Sequence, residues 1–178
     1  MDLYSQTVKY VNDSFQGRQT QHFERTVYWL EKFLPNLSEA HRIAAYSHDI
    51  ERGINTEKDR DYLNPVFIKR HQEQGAEIMA KFLNGQGANQ QTINKVQHLI
   101  SKHEVGGDLE QNALMDADSV SYFETNAEMF VTKRVEEDGY KKVKEKLDWM
   151  FKRISSDEHK KFAQENYEKW SKILETKK

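Results

Sequence analysis

Proline interrupts this chain at only two places, Pro35 and Pro65, and almost everywhere else apolar side chains return every third or fourth residue. A chain with that pattern buries its apolar faces by packing helix against helix, because the two-residue alternation of a strand is missing. An all-α fold is the expectation. The 178 residues, 37% of them hydrophobic, contain no linker-like stretch, so one domain with one core is expected over residues 1–178.

Taken in order, Leu3, Val8, Val11 and Phe15 form a stripe that stops at Gly17, which predicts a first helix over residues 2–15. A second, over 20–34, carries Phe23, Val27, Leu30 and Leu34, with His22 beside that stripe in its first turn. Ser38 suits the N-cap of a third helix that runs through Ala44, Ala45 and Ser47 to His48 and Asp49, and Gly53 reads as its left-handed stop. Small side chains there let neighbouring helices come close. Residues 53–65 are charged and aperiodic, and they read as a loop beside the His-Asp pair, placed to act as a lid.

Helices over 66–83 and 89–103 follow, with His71 on the apolar face of one and His103 closing the stripe of the other. In the next helix Leu114, Asp118 and Ser121 share a row. Asp116 lies about 200° around the helix from Asp118, so only one of the two carboxylates can face inward. Beyond Asn126 come a short helix around Phe130 and Val131 that Asp138 and Gly139 end, a strong stripe from Tyr140 to Ile154, and a last helix that Ser156 caps. Residues 126–175 read as packing helices outside the core, and the charge-dense stretch 141–146 reads as a solvated face.

The polar groups on inward faces are His22, His48, Asp49, His71, His103 and Asp118. Adjacent His and Asp side chains on a helix point about 100° apart, so one ion at their shared edge can take an imidazole nitrogen and a carboxylate oxygen together. Burying the carboxylates with neither a metal nor a cationic partner would be costly. For His71 and His103 the residues alone leave two roles open, ligand or hydrogen-bonded core histidine. His41, His98 and His159 have no partner motif and read as surface or packing residues. The absence of cysteine excludes thiolate sites, iron–sulfur clusters and cysteine nucleophiles, so a metal would rest on imidazole and carboxylate.

A net charge of −2 argues against a nucleic-acid-binding protein, which would be basic. No run approaches the roughly 18 apolar residues of a membrane span. Residues 1–6 resemble no signal peptide, and a cytoplasmic protein without membrane contact is expected.

The order His22, then His48-Asp49, then Asp118 within Met115-Asp116-Ala117-Asp118-Ser119-Val120 resembles the HD-domain superfamily of metal-dependent phosphohydrolases, over most of residues 20–124. The resemblance implies that these four side chains ligate a divalent metal at the centre of a helical domain. The stretches His71-Gln72-Glu73-Gln74-Gly75-Ala76 and Ser101-Lys102-His103-Glu104 look like the two extra histidine motifs of members that bind two metals, with Asp49 then bridging both ions. Imidazole with carboxylate suits Fe, Mn, Co or Zn, with Mg a further possibility, at one or two ions per chain.

A phosphate substrate needs cations beyond the metal, and Arg18, Arg25, Arg52 and Lys102 are the candidates. Asp49 is the expected catalytic carboxylate, with Glu51 a candidate proton-transfer group beside it. Subfamily likenesses fall away at particular residues. Ile50 to Gly53 replace the acidic pair of the alarmone hydrolases, and Glu104 to Gly107 replace the Gly-Tyr-Pro of cyclic-di-GMP phosphodiesterases. Ser119 to Asn126 lack the sequence that follows the final Asp of symmetrical diadenosine tetraphosphate hydrolases. The expected function is hydrolysis of a nucleotide or other small phosphate ester through a metal-activated water. Two alternatives stand beside it, a di-iron oxygenase of HD-like fold and a non-catalytic metal-binding or ligand-sensing module.

Overall fold

The computed structural model describes residues 1–55 and 63–178, and among them there is helix and no strand. In order these are α1 (Leu3–Phe15), α2 (Thr20–Phe33), α3 (Glu39–Ser47), α4 (Ile50–Ile54), α5 (Pro65–Gly85), α6 (Gln90–Ile100) and α7 (Leu109–Thr125). Then follow α8 (Ala127–Met129), a π-helical turn (Phe130–Arg134), α9 (Val135–Asp138), α10 (Tyr140–Lys152) and α11 (Asp157–Glu175). The all-α expectation holds. No described helix is long and apolar enough to cross a membrane.

Local chemistry sets most helix starts. Asp2 Oδ1 accepts from Ser5 N at 2.7 Å, Asn64 Oδ1 from Val66 N at 2.9 Å, and Asn89 Oδ1 from Thr92 N at 2.9 Å. Asp108 Oδ1 accepts from Glu110 N and Gln111 N, while the Gln111 side chain returns a bond to Asp108 N. Each satisfies amides that a helix start leaves without partners. Ser38 caps α3 with a variant of the same reciprocity, because its N–H donates to His41 Nδ1 at 3.2 Å. His41 is thus a capping residue, and Ser156 caps α11 as expected, accepting from His159 N at 3.4 Å.

The long central helix α7 lies along α2 on one side and meets α11 on another, while α3 packs on α1, α2 and α6, and α5 packs on α6. Buried apolar side chains from Val11 to Leu174 form one cluster, with Phe23, Ile43, Tyr46, Met79, Leu99 and Leu114 fully enclosed.

The structure departs from the sequence reading around the His-Asp pair. α3 does not run on to Gly53. It ends at Ser47, His48 stays helical, Asp49 moves to φ −96°, ψ 11°, and α4 starts at Ile50. Gly53 lies inside α4 with no positive φ. Its reason is contact: a Cβ there would come within 2.6 Å of the Phe15 ring. Pro65 opens α5 at its first position, so the expected loop over 53–65 is shorter at both ends, and its lid role falls on residues 56–62, outside the described residues. α6 stops at Ile100, three residues earlier than expected, and His103 sits in the turn that follows. In α5, a Cβ on Gly75 would lie 3.4 Å from His48 O, so a hydrogen there lets α5 lie against the pair.

The C-terminal helices do more than pack. α11 does cover α7, where Trp170 Nε1 donates to Phe123 O at 3.2 Å. Lys146, expected on a solvated face, is instead buried, and Arg153, just past α10, reaches the polar centre of the molecule. Asp116 faces away from that centre and ties down the α10–α11 turn. It is fully buried and accepts from Ser155 N at 2.7 Å, Ser155 Oγ at 2.9 Å and His159 Nδ1 at 2.7 Å. Asp116→Ala strands these donors and should lower the unfolding free energy by about 2–3 kcal/mol in urea denaturation.

Candidate metal centre

Five segments meet at one point. α2 brings His22, the break between α3 and α4 brings His48 and Asp49, α5 brings His71, the turn after α6 brings His103 and Glu104, and α7 brings Asp118. His48 and His103 are fully buried, and His71, His22 and Asp118 are nearly so. The six side chains singled out as inward-facing thus come together.

Asp49 is the centre of the cluster. Its Oδ1 faces His71 Nε2 at 3.0 Å and His103 Nε2 at 3.6 Å, and its Oδ2 lies 4.0 Å from His48 Nε2. Asp118 Oδ1 faces His22 Nε2 at 3.1 Å and His48 Nε2 at 3.4 Å. Donor atoms of His22, His48 and Asp49 lie within 4.8 Å of one another, and so do those of Asp49, His71, His103 and Glu104. Each group is able to hold a metal ion, and Asp49 belongs to both.

The outer ring nitrogens explain which atoms point inward. His48 Nδ1 donates to Ala45 O and His103 Nδ1 to Ile100 O, each at 2.8 Å. His71 Nδ1 donates to Glu51 Oε2 at 2.7 Å. Ser121 Oγ donates to His22 O at 2.8 Å and so receives the His22 Nδ1 proton at 2.9 Å. A neutral imidazole that donates through Nδ1 presents a lone pair at Nε2, and fixing that tautomer is how outer partners prepare metal-ligating histidines. His48 Nε2 and His103 Nε2 are buried with no hydrogen-bond partner. Buried polar atoms left this way are rare, and a cation between them and the carboxylates satisfies both.

Guanidinium groups hold the outer carboxylate oxygens. Arg52 donates from Nη1 to Asp49 Oδ2 at 2.9 Å and from Nη2 to Glu104 Oε1 at 2.5 Å. Arg153 donates to Asp118 Oδ2 through Nη2, to Glu104 Oε2 through Nη1, and to Ser119 Oγ through Nε at 2.8 Å. A chain of alternating charge therefore runs Asp49, Arg52, Glu104, Arg153, Asp118. Burial raises the carboxyl pKa of Asp49 and Asp118, but Arg52 beside the first and Arg153 beside the second outweigh it and hold both well below the usual range. Glu104 is depressed likewise, burial being overcome by Arg153 and then Arg52.

A pocket of about 470 Å³ opens onto His22, Asp49 and Asp118. Arg18, Arg52, Arg134 and Lys146 give it positive charge, and Phe15, Phe130, Met129 and Met150 give it an apolar wall. Burial pushes Lys146 down to about 8.

Arg52 and Arg18 line the pocket. Arg25 instead forms a two-pronged ion pair with Glu124, at 2.7 and 3.0 Å, and lies over the Tyr28 ring. Lys102 is exposed and does not line the pocket, and Glu51 stands behind His71 with Asn55 Nδ2 donating to its other oxygen at 2.9 Å. Glu104, Lys146, Arg153 and the pocket-lining Arg134 went unnoticed in the sequence. Glu104 adjoins His103, which was its one available signal, whereas Lys146 and Arg153 carry none, because nothing local separates them from their neighbouring surface cations.

In the metal-free chain His48 is pushed up to about 9, since the carboxylates of Asp118 and Asp49 outweigh burial, which alone would lower it. A folded value above the ordinary 6.5 stabilises fully below that pH, and the contribution is lost as pH rises through 9. Between about pH 6.5 and 8, chelator-treated protein should lose stability by up to about 1.4 kcal/mol per pH unit, the limit for one proton. Above that window the depressed Lys146 opposes the loss. Saturating Mn²⁺, which replaces the proton, should flatten the slope, and His48→Gln should remove it; urea denaturation across pH reads both.

Searches of curated proteins and of solved structures find no match. The family described as "Domain of unknown function (DUF4202)" matches residues 5–174, nearly the full length, and with it the whole centre and the helices that supply Lys146 and Arg153. The chain belongs to the DUF4202 family.

Proposed function

We propose that the chain is a metal-dependent phosphohydrolase of HD-domain type, acting on a nucleotide or another small phosphate ester. The observation that carries the reading is the pair of buried, unpartnered Nε2 atoms of His48 and His103 turned toward the Asp49 carboxylate. His22, His48, Asp49 and Asp118 would hold one divalent ion, and Asp49, His71 and His103 a second. When bound, such ions polarise a phosphoryl oxygen and make a water nucleophilic at neutral pH.

The chain's own residues supply the remaining work. Arg52 lines the pocket against Asp49, and its guanidinium would offer hydrogen bonds to a phosphoryl group bound there. Arg18 and Lys146 add positive charge on the pocket walls, and Phe15, Phe130 and Met150 offer an apolar surface for the organic part of the ester. Glu51 orients His71 through Nδ1 rather than moving protons at the substrate. The cationic side chains of the lining favour an anionic substrate, as a phosphate ester is.

Asp49→Ala should remove most bound metal, because both groups lose their shared carboxylate, and phosphatase and phosphodiesterase turnover should fall to background. Elemental analysis of protein purified without chelators, paired with a phosphate-ester screen across several metals, measures both. Iron-dependent oxygen consumption with no phosphate release would overturn the reading in favour of an oxygenase, and bound metal without any turnover would favour a sensing module.

A further inference from the structure

Two ligand sets around Asp49 are unequal as the histidine motifs alone describe them. The first has two imidazoles and two carboxylates, those of Asp49 and Asp118. The second has two imidazoles, His71 and His103, and only the shared Asp49.

Glu104 stands where the second set lacks a donor. Its carboxylate is buried, and Oε1 lies 3.9 Å from His71 Nε2 and 3.9 Å from His103 Nε2. Its backbone is pinned too, since Glu104 N donates to Gln72 Oε1 at 2.9 Å, and Gln72 follows His71 on α5. The fully buried His103 Nε2, with no hydrogen-bond partner, opens into the same space.

The two terminal carboxylates are also treated alike. Arg153 takes the outer oxygen of each, Oδ2 of Asp118 and Oε2 of Glu104, which leaves Oδ1 of Asp118 and Oε1 of Glu104 directed at imidazole nitrogens. Arg52 shares that Oε1 at 2.5 Å and also holds Asp49 Oδ2 at 2.9 Å. One guanidinium therefore braces both terminal carboxylates, and the other ties Glu104 to the shared one.

We propose that Glu104 is the terminal carboxylate ligand of the second metal, so that the two subsites present the same donors, two imidazoles, one terminal carboxylate and the shared Asp49, with Arg153 as the brace between the terminal pair. This rests on the metal-centre reading above. Matching donor sets favour the same ion in both positions, so the centre loads as a like pair rather than as one tight and one casual ion.

The test is equilibrium dialysis of the full chain against Mn²⁺, followed by elemental analysis, for the wild type, Glu104→Gln and Glu104→Asp. Helical content by circular dichroism reports folding. The wild type should bind two ions per chain and Glu104→Gln one. Glu104→Asp keeps the negative charge between Arg52 and Arg153 but withdraws the carboxylate by one methylene. It should therefore bind the second ion at least about tenfold more weakly, a loss of the size seen when a metal site is perturbed. If Glu104 serves only as counter-ion to the arginines, Glu104→Asp keeps both ions at wild-type affinity, and that result overturns the proposal even where Glu104→Gln fails to fold. A wild type that binds one ion sinks the second subsite while leaving a one-metal hydrolase standing, and a wild type that binds none sinks the metal-centre reading with it.

Discussion

The centre depends on one carboxylate placed where a helix stops. Asp49 sits in the break between α3 and α4, at φ −96° and ψ 11°, and the change of direction there lets its two oxygens address different neighbours. Oδ1 serves the His71 and His103 side, and Oδ2 meets Arg52 and looks toward His48. An unbroken helix through Gly53 would carry Glu51 and Arg52 on a different course. In the structure they land behind His71 and against Glu104 respectively. The small residues before the break and Gly75 on α5 serve the same end, since they let the surrounding helices come near enough for side chains from five segments to share one space.

An assembly of this kind sets four carboxylates, Asp49, Glu51, Glu104 and Asp118, into a nearly closed interior, where an unpaired charge costs several kcal/mol. Each has a cationic or imidazole partner. Glu51 takes the proton of His71 Nδ1, Arg52 and Arg153 divide the other three, and Lys146 adds a further buried positive charge nearby. The fold thereby keeps its carboxylates ionised without depending on metal alone, and ionised carboxylates are what a metal needs.

Much of this was legible in the sequence, and the reason is periodicity. His22, His71 and Asp118 fall on or beside apolar rows, and His48-Asp49 and His103 end such rows, so a residue's direction followed from its neighbours three and four positions away. Helix geometry lets only one of Asp116 and Asp118 face the site, and the family resemblance selects Asp118; the structure turns Asp116 outward from the centre onto Ser155 and His159. What stayed hidden depends on how elements cross. Arg25 and Arg52 look equally available in the sequence, yet Arg25 is claimed by Glu124, a residue 99 positions later. Lys146 sits in a run of lysines and glutamates whose other members are solvated, and only the approach of α10 to the pocket buries it. Gly53 reads as a stop by habit of its type, while its use is set by the Phe15 ring, a contact between residues far apart in the chain.

The role of the C-terminal helices follows from the same electrostatics. Were residues 126–175 merely a cover, Asp118 would face two imidazoles with its second oxygen unanswered in the interior. Arg153 answers it, and because the same guanidinium also holds Glu104 and Ser119, the turn after α6 and the helix α7 are fixed relative to each other through a residue belonging to neither. Asp116 acts at the other end of that link, holding Ser155 and His159 so that Arg153 enters at a set height along α7. Two aspartates two residues apart on α7 thus serve one geometry from opposite faces. One addresses the imidazoles, and the other anchors the turn whose arginine keeps the first one ionised and aimed.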